Sequence, residues 1–178
     1  MIEDAVRQAV LALPAPGERV AVFAAQPETY RALAAERAGV EVYPLDGAPD
    51  GVRGYATAIV EGLDRLEDPV VELRAIAAAA PGAQIVALVA NAAFALTIDA
   101  FIAGAAAGGH AFSESDIAPL FAAAGLETRS IAPVTGGAVG NPVLPLDVST
   151  GHVKIRIERA DVLARLQIAA YIVVAAAP

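Results

Sequence analysis

An α/β fold, with helices on both faces of a mostly parallel sheet, is predicted by three observations. Short apolar segments (Val20 to Ala24, Val40 to Asp46, Tyr55 to Val60, Gln84 to Val89) alternate with helix-like segments, and only a few residues join each to the next. Val20 to Ala24 is apolar at every position, as a strand buried on both faces must be. The chain has 178 residues, which suits one core, so residues 1–178 are read as a single domain. Alanine supplies much of the apolar composition and aromatics are few, which favours close helix–sheet packing.

From Asp4 to Leu13, apolar Val6, Val10, Leu11 and Leu13 surround polar Arg7 and Gln8, and Pro14 and Pro16 follow: a short amphipathic helix. After the first strand, Pro27 suits a first helical turn and Glu28 places a negative charge where the helix dipole favours it; this helix is predicted to reach Ala38 and end at Gly39. Val40 to Asp46 is a second strand in which Pro44 indicates an edge or a strand end. A turn-rich loop over 47–54 leads to the third strand, Tyr55 to Val60, and then to a helix from about Val70 to Ala80. Pro81-Gly82 separates it from the fourth strand, Gln84 to Val89.

Thr97 to Ala106 is predicted helical. Ser113 caps a further helix that carries Asp116 in its first turn and ends at Gly125; Leu126 to Val134 is the fifth strand. Thr135 to Gly151, rich in Gly, Pro and small polar residues, is predicted as a flexible loop. Its Gly136 to Asn141 has the glycines of a phosphate loop, but no helix follows at the right distance and no Lys-Ser/Thr closes it. Val153, Ile155 and Ile157 alternate with Lys154 and Arg156 as a short exposed strand; Asp161 to Gln167 is helical and Ile168 to Ala176 is a final strand.

Several function classes are disfavoured. The longest charge-free run, Ala75 to Ile98, is broken by Pro81-Gly82, so no membrane span is expected. Met1 to Asp4 lacks the basic flank of a secretion signal, which points to the cytoplasm. There is no cysteine, and neither His110 nor His152 has a strong ligand at helical spacing, so no metal site is expected. A net charge of −8 argues against nucleic acid as a partner. Two catalytic candidates remain. Glu61 follows the third strand at its carboxyl end, where α/β clefts lie, and His110 precedes a helix; each also reads as a solvated side chain.

These segments together resemble the class I S-adenosylmethionine-dependent methyltransferases over nearly the whole chain, apart from Thr135 to Gly151. The family's aromatic-Asp strand start, Leu-Glu-His-Leu-x-Asp-Pro, Pro-Gly-Gly and Pro-Asn are similar to Tyr55-Ala56, Leu63-Asp64-Arg65-Leu66-Glu67-Asp68-Pro69, Pro81-Gly82-Ala83 and Ala90-Asn91. Its His-x-Phe-Thr and Leu-x-x-Ala-Gly-Phe resemble His110-Ala111-Phe112-Ser113 and the segment Leu120 to Leu126, and its last strand resembles Ala170 to Ala175. The resemblance implies a Rossmann-like three-layer αβα sandwich whose mostly parallel sheet ends in an antiparallel C-terminal strand. One strand–helix unit is missing between Asp46 and Tyr55: the family's third strand, or its first if Val20 to Ala24 is counted as the second.

The departures bear on function. The family's first strand runs into Asp-x-Gly-x-Gly-x-Gly, whose glycines leave room for the cofactor's methionine part; the corresponding positions here are Val22, Ala24, Gln26 and Glu28. Asp46 stands where the family's ribose-binding acid stands, and Arg65 replaces a His that serves as a base in some relatives. The resulting expectation is a protein without a cofactor, acting as a non-catalytic partner or regulatory subunit of another protein, or assembling as a homo-oligomer through its sheet edge. The alternative is an active methyltransferase on a small-molecule oxygen or nitrogen, with the cofactor at Asp46, Ala24, Gln26 and Glu61; another small molecule in the cleft is a third reading. The active reading predicts an open cavity beside Ala24 and Gln26, and the partner reading a cavity filled by Gln26, Glu28, Phe23 or their neighbours.

Overall fold

The computed structural model describes residues 4–35, 37–47, 54–94, 98, 110–136 and 143–178. Its strands are β1 (Val20–Ala24), β2 (Val40–Pro44), β3 (Thr57–Glu61), β4 (Gln84–Ala90), β5 (Glu127–Thr135), β6 (Leu146–Thr150), β7 (Val153–Ile157) and β8 (Ile168–Ala176). The helices are α1 (Asp4–Leu11), α2 (Pro27–Leu33), α3 (Pro69–Ala79), α4 (Glu114–Ala123) and α5 (Ala160–Gln167), with a 3₁₀ turn at Leu63–Arg65.

Six strands form one sheet in the order β2-β1-β3-β4-β8-β5. The four from β2 to β4 run parallel, and β8 is antiparallel to both β4 and β5. Ala24 lies level with Pro44 and Glu61, and Ala90 with Ala170. The carboxyl ends of the parallel strands and the start of β8 therefore form one continuous rim. The two edge strands are β2 and β5.

Strand alternation divides the core between two helical layers. Val20, Val22, Ala24, Ile59, Val86 and Leu88 face α1 and α2, where they meet Val10, Leu11 and Tyr30. Ala21, Phe23, Val60, Ile85, Val89, Tyr171 and Val173 face α3 and α4, against Leu73, Ile76, Ile117 and Phe121. Helix α3 starts where Asp68 accepts hydrogen bonds from Val70 N and Val71 N, both at 3.0 Å, with Pro69 in the first turn. Helix α4 starts where Asp116 accepts from Ser113 N at 2.7 Å and Ser113 Oγ at 2.6 Å; these bonds hold the Asp116 carboxyl below its usual range.

Three predicted elements differ from those observed. Helix α2 ends at Leu33 rather than Ala38, because the chain turns through Arg37 N to Ala34 O (2.9 Å) to reach Gly39 and β2. The stretch predicted as loop from Thr135 to Gly151 contains β6, which pairs antiparallel with β7 as a separate two-stranded sheet. Arg7, predicted on the polar side of α1, is buried. The helix predicted over Thr97 to Ala106 and the glycines at 137–140 lie outside the described residues, apart from Ile98. Among the described residues no helix is long and apolar enough to cross a membrane.

Candidate functional site

At the rim, β1 passes into α2 through Ala24, Ala25 and Gln26 without a positive φ; Gln26 has φ −126 and caps the helix. The Ala25 amide donates to Glu61 O at 3.0 Å and the Leu45 amide to Ala24 O at 3.1 Å, which ties the ends of β1, β2 and β3 together. Gly62 follows with φ +101, and a Cβ built there would lie 2.5 Å from the Ala25 Cβ. This is a position for glycine on both conformational and steric grounds. The junction is closed by Ala25 on one side and the Gly62 backbone on the other.

Glu61 shares its strand face with Ile59, so its carboxylate turns toward α1 and α2. Arg7 of α1 grips it with Nε at 2.9 Å from Oε2 and Nη2 at 2.5 Å from Oε1, and the Tyr30 hydroxyl donates to Oε2 at 2.7 Å. Arg7 Nη1 also reaches Asp4 at 2.9 Å. The Arg7 and Glu61 side chains are only 10% and 13% exposed, and Tyr30 is fully enclosed. Hydrogen bonding to Glu61 pushes the Arg7 pKa up, and burial together with the Glu61 charge pushes the Tyr30 phenol up, so both stay protonated as donors. The network satisfies a buried acid from three directions.

On the other side of β1, a cleft of ≈ 220 Å³ is lined by Ala24, Ala25, Pro44, Leu45, Asp46, Arg65 and Leu66. It opens onto a shallow groove of ≈ 640 Å³ that shares Asp46, Arg65 and Leu66 and is otherwise walled by the acids Glu67, Asp68 and Glu72. The inner cleft is smaller than the roughly 300–1,000 Å³ usual for small-molecule sites. Asp46 is exposed at its lip. The side chains predicted to fill the cleft do not: Gln26 is exposed, Glu28 is exposed and paired with Arg31, and Phe23 lies in the core, stacked on Tyr43 at 5.4 Å.

Ala24 and Asp46 thus meet at one cleft, while neither Gln26 nor Glu61 is in its lining. His110 forms a clip across the rim. Its amide donates to Asp64 O at 2.8 Å, its ring Nε2 lies 3.0 Å from Glu67 O, and it stacks on Phe112 at 5.8 Å. The Asp64 carboxyl beside it is pushed up, chiefly by burial. Asn91 is buried and structural: its amide donates to Arg165 O at 3.2 Å and Ile168 O at 2.8 Å, and its side-chain oxygen accepts from Ala93 N at 3.1 Å. A second cavity, ≈ 510 Å³, lies beyond Asn91, between β5, β8, α5 and the start of α4. Among the described residues no group of three or more His, Asp or Glu is arranged to hold a metal ion.

Arg7, Tyr30, Arg165 and Tyr171 went unread in the sequence as site residues. Arg7 did carry a signal, because it stands at i to Val10 at i+3 and Leu11 at i+4, on the buried side of the helix.

The sheet, in which β8 alone runs against the other five strands, matches those of solved structures. The fold is that of the class I S-adenosylmethionine-dependent methyltransferases. A methyltransferase in complex with the Haloferax volcanii Trm112 methyltransferase activator matches with a TM-score of 0.63 at 14% identity, over 97% of this chain and 88% of that one. Magnesium protoporphyrin IX methyltransferase from Synechocystis, with bound S-adenosylhomocysteine, matches with a TM-score of 0.53 at 14% identity, over 98% and 81%. Mitomycin 7-O-methyltransferase matches with a TM-score of 0.58 at 18% identity, over 96% of this chain; the chain spans about half of that protein's length, 52%. No protein-family model and no curated protein matches the sequence.

Proposed function

We propose that this chain is a methyltransferase-fold protein that does not hold S-adenosylmethionine in the family's manner and acts as a non-catalytic partner of another protein. The observation that carries this reading is the closed inner end of the β1 cleft. The backbone makes no positive-φ bend there, Ala25 is packed against Gly62, and the nearby strand-end acid Glu61 is consumed by Arg7 and Tyr30. A ligand's amino-acid half would have no bare backbone to lie on and no free acid beside it. On this reading Ala24, Ala25 and Gln26 do not fit the group.

The kind of partner is suggested by the Haloferax volcanii match, a methyltransferase found in complex with an activator protein. In this chain one surface suited to another protein is the edge strand β2; its outer edge, like that of β5, pairs with no strand among the described residues. A second reading, an active methyltransferase, is favoured by two observations: the cleft beside Ala24 is left open by Gln26, Glu28 and Phe23, as that reading predicts, and the exposed Asp46 carboxylate stands at its lip, with the larger groove beyond it.

Thermal unfolding with saturating S-adenosylmethionine and S-adenosylhomocysteine, backed by calorimetric titration, decides between the two. A one-site ligand at about a hundredfold over its dissociation constant stabilises by roughly 2.7 kcal/mol, which for a domain of this size raises Tm by about 5–10 °C. No shift and no titratable heat is the expected result. A shift of that order, abolished by Asp46→Ala, would replace the partner reading with the active one.

A further inference from the structure

The cavity between β5, β8, α5 and α4 contains polar groups for which the fold supplies no partner. The chain has four tyrosines. Three have hydroxyls bonded within the protein: Tyr30 to Glu61 at 2.7 Å, Tyr43 to Glu41 at 2.7 Å, and Tyr55 to Tyr43 at 3.1 Å. The fourth, Tyr171, is 3% exposed, with its ring in the core on the α3 and α4 side. It lines the cavity, and among the described residues its hydroxyl makes no hydrogen bond. The hydroxyl keeps contact with solvent, since among the described residues the buried side-chain polar atom without a partner is Thr128 Oγ1, and it opens into the cavity, where a ligand can bond it.

Two opposite charges line the same cavity. Arg165 projects from α5, whose end is fixed because Asn91 holds the Arg165 and Ile168 carbonyls. Glu114 is the first residue of α4. Among the described residues neither side chain forms an ion pair, with the other or with anything else. Both nevertheless act on Tyr171: after burial, Glu114 pushes its phenol up and Arg165 opposes it. The Ser115 hydroxyl is engaged with Ser113 Oγ at 2.8 Å, and Ile131 of β5 adds an apolar wall. Arg165 and Glu114 are exposed at the cavity, and a guanidinium and a carboxylate that line it without closing on each other, beside the Tyr171 phenol, are complementary to a molecule carrying both signs.

We infer that this cavity binds a small zwitterion of the α-amino acid class, with its carboxylate on Arg165 and the Tyr171 hydroxyl, its ammonium on Glu114, and its side chain toward Ile131. The site is separate from the β1 cleft and requires no methyl transfer.

Calorimetric titration of the full chain with the soluble standard L-amino acids tests it, with propionate and ethylammonium as single-charge controls. At least one amino acid is expected to bind saturably with Kd below about 1 mM, and both controls about tenfold or more weaker. Tyr171→Phe, Arg165→Gln and Glu114→Gln are each expected to weaken that amino acid by about tenfold, with melting curves that show the variants folded. Asp46→Ala, in the other cleft, leaves the affinity unchanged. The assignment is overturned by the absence of saturable heat from every amino acid up to about 10 mM, by propionate binding as tightly as the best amino acid, or by affinity that survives both Tyr171→Phe and Arg165→Gln.

Discussion

At the β1 end of the rim, Arg7, Glu61 and Tyr30 are largely enclosed and satisfy one another, whereas at the β8 end Tyr171, Arg165 and Glu114 line one cavity and make no side-chain bonds among the described residues. Both places lie at strand ends of the same sheet, and both contain a tyrosine that is nearly or wholly enclosed. A polar group removed from water must find its partner in the protein or in a ligand. Where the protein supplies the partner, the residue has become part of the architecture. An acid at the end of a strand is therefore judged by what already holds it, and Glu61 is held on every side.

The comparison breaks most readily at Arg7. Removing one partner of an enclosed ion pair leaves the other charge uncompensated, so Arg7→Met is expected to cost about 3–5 kcal/mol. In a thermal melt that is a fall in Tm of roughly 6–20 °C. Adding Glu61→Gln, which removes the orphaned charge and keeps an acceptor for Tyr30, should restore most of the loss. If the single variant melts within about 2 °C of the parent, less than 1 kcal/mol is at stake, and the Arg7 contact is not structural. Tyr30→Phe comes next. It deletes a bond to a charged acceptor, worth about 1.5–3 kcal/mol in urea unfolding.

A smaller effect belongs to the sheet edge. There Tyr55, Tyr43 and Arg19 hold the Glu41 carboxyl down at about 2, against an ordinary 4.5. The contacts include Tyr43 at 2.7 Å and Arg19 at 2.8 Å, and the Arg19 guanidinium lies 4.5 Å over the Tyr55 ring. Because the folded value is depressed, the stabilisation is fully present above 4.5 and is lost as pH falls toward 2. Parent and Glu41→Gln melting temperatures should therefore converge over that acid window. A constant gap from pH 6 down to about 2 would dissociate Glu41 from the effect.

The smallest expected effect carries the contrast. Tyr171→Phe removes a hydroxyl with no protein partner, so stability should stay within about 0.5 kcal/mol. The same substitution at Tyr30 and Tyr171 then gives opposite answers in the free protein. A loss at Tyr171 as large as at Tyr30 would reveal a structural bond there and erase the difference between the two ends of the rim.

The alternation of apolar runs with helical segments was enough to read the order of the sheet elements, because strands buried on both faces leave a continuous apolar signature and Asp68-Pro69 and Ser113 mark helix starts directly. The β6 strand was not legible. Leu146 to Thr150 follows Pro142 and Pro145 and alternates weakly, and it becomes a strand only by pairing with Val153–Ile157. The site was legible only in part. Asp46 and Ala24, singled out through the family resemblance, do line one cleft. The fate of Glu61 depends on which of two helical layers it faces, and that parity emerges only when α1 docks with Arg7 inward. Tyr171, Arg165 and Glu114 come from three elements far apart in the chain, and no spacing rule connects them.

The position of β2 has a consequence for how the molecule opens. Ala21 to Phe23 in β1 and the equivalent residues of β3 and β4 are fully enclosed and have strands on both sides, whereas β2 is five residues long, only partly covered, and paired on one side. Cooperative units with fewer buried contacts open at lower free energy than the core they flank. Amides of Val40–Tyr43 should accordingly exchange with deuterated solvent well before those of Ile85–Val89. Pro44, the last residue of β2, and Leu45 and Asp46 that follow it then belong to a part of the sheet that opens before its centre. One wall of the β1 cleft is thus drawn from an edge strand, while Ala24 beside it comes from a strand flanked on both sides.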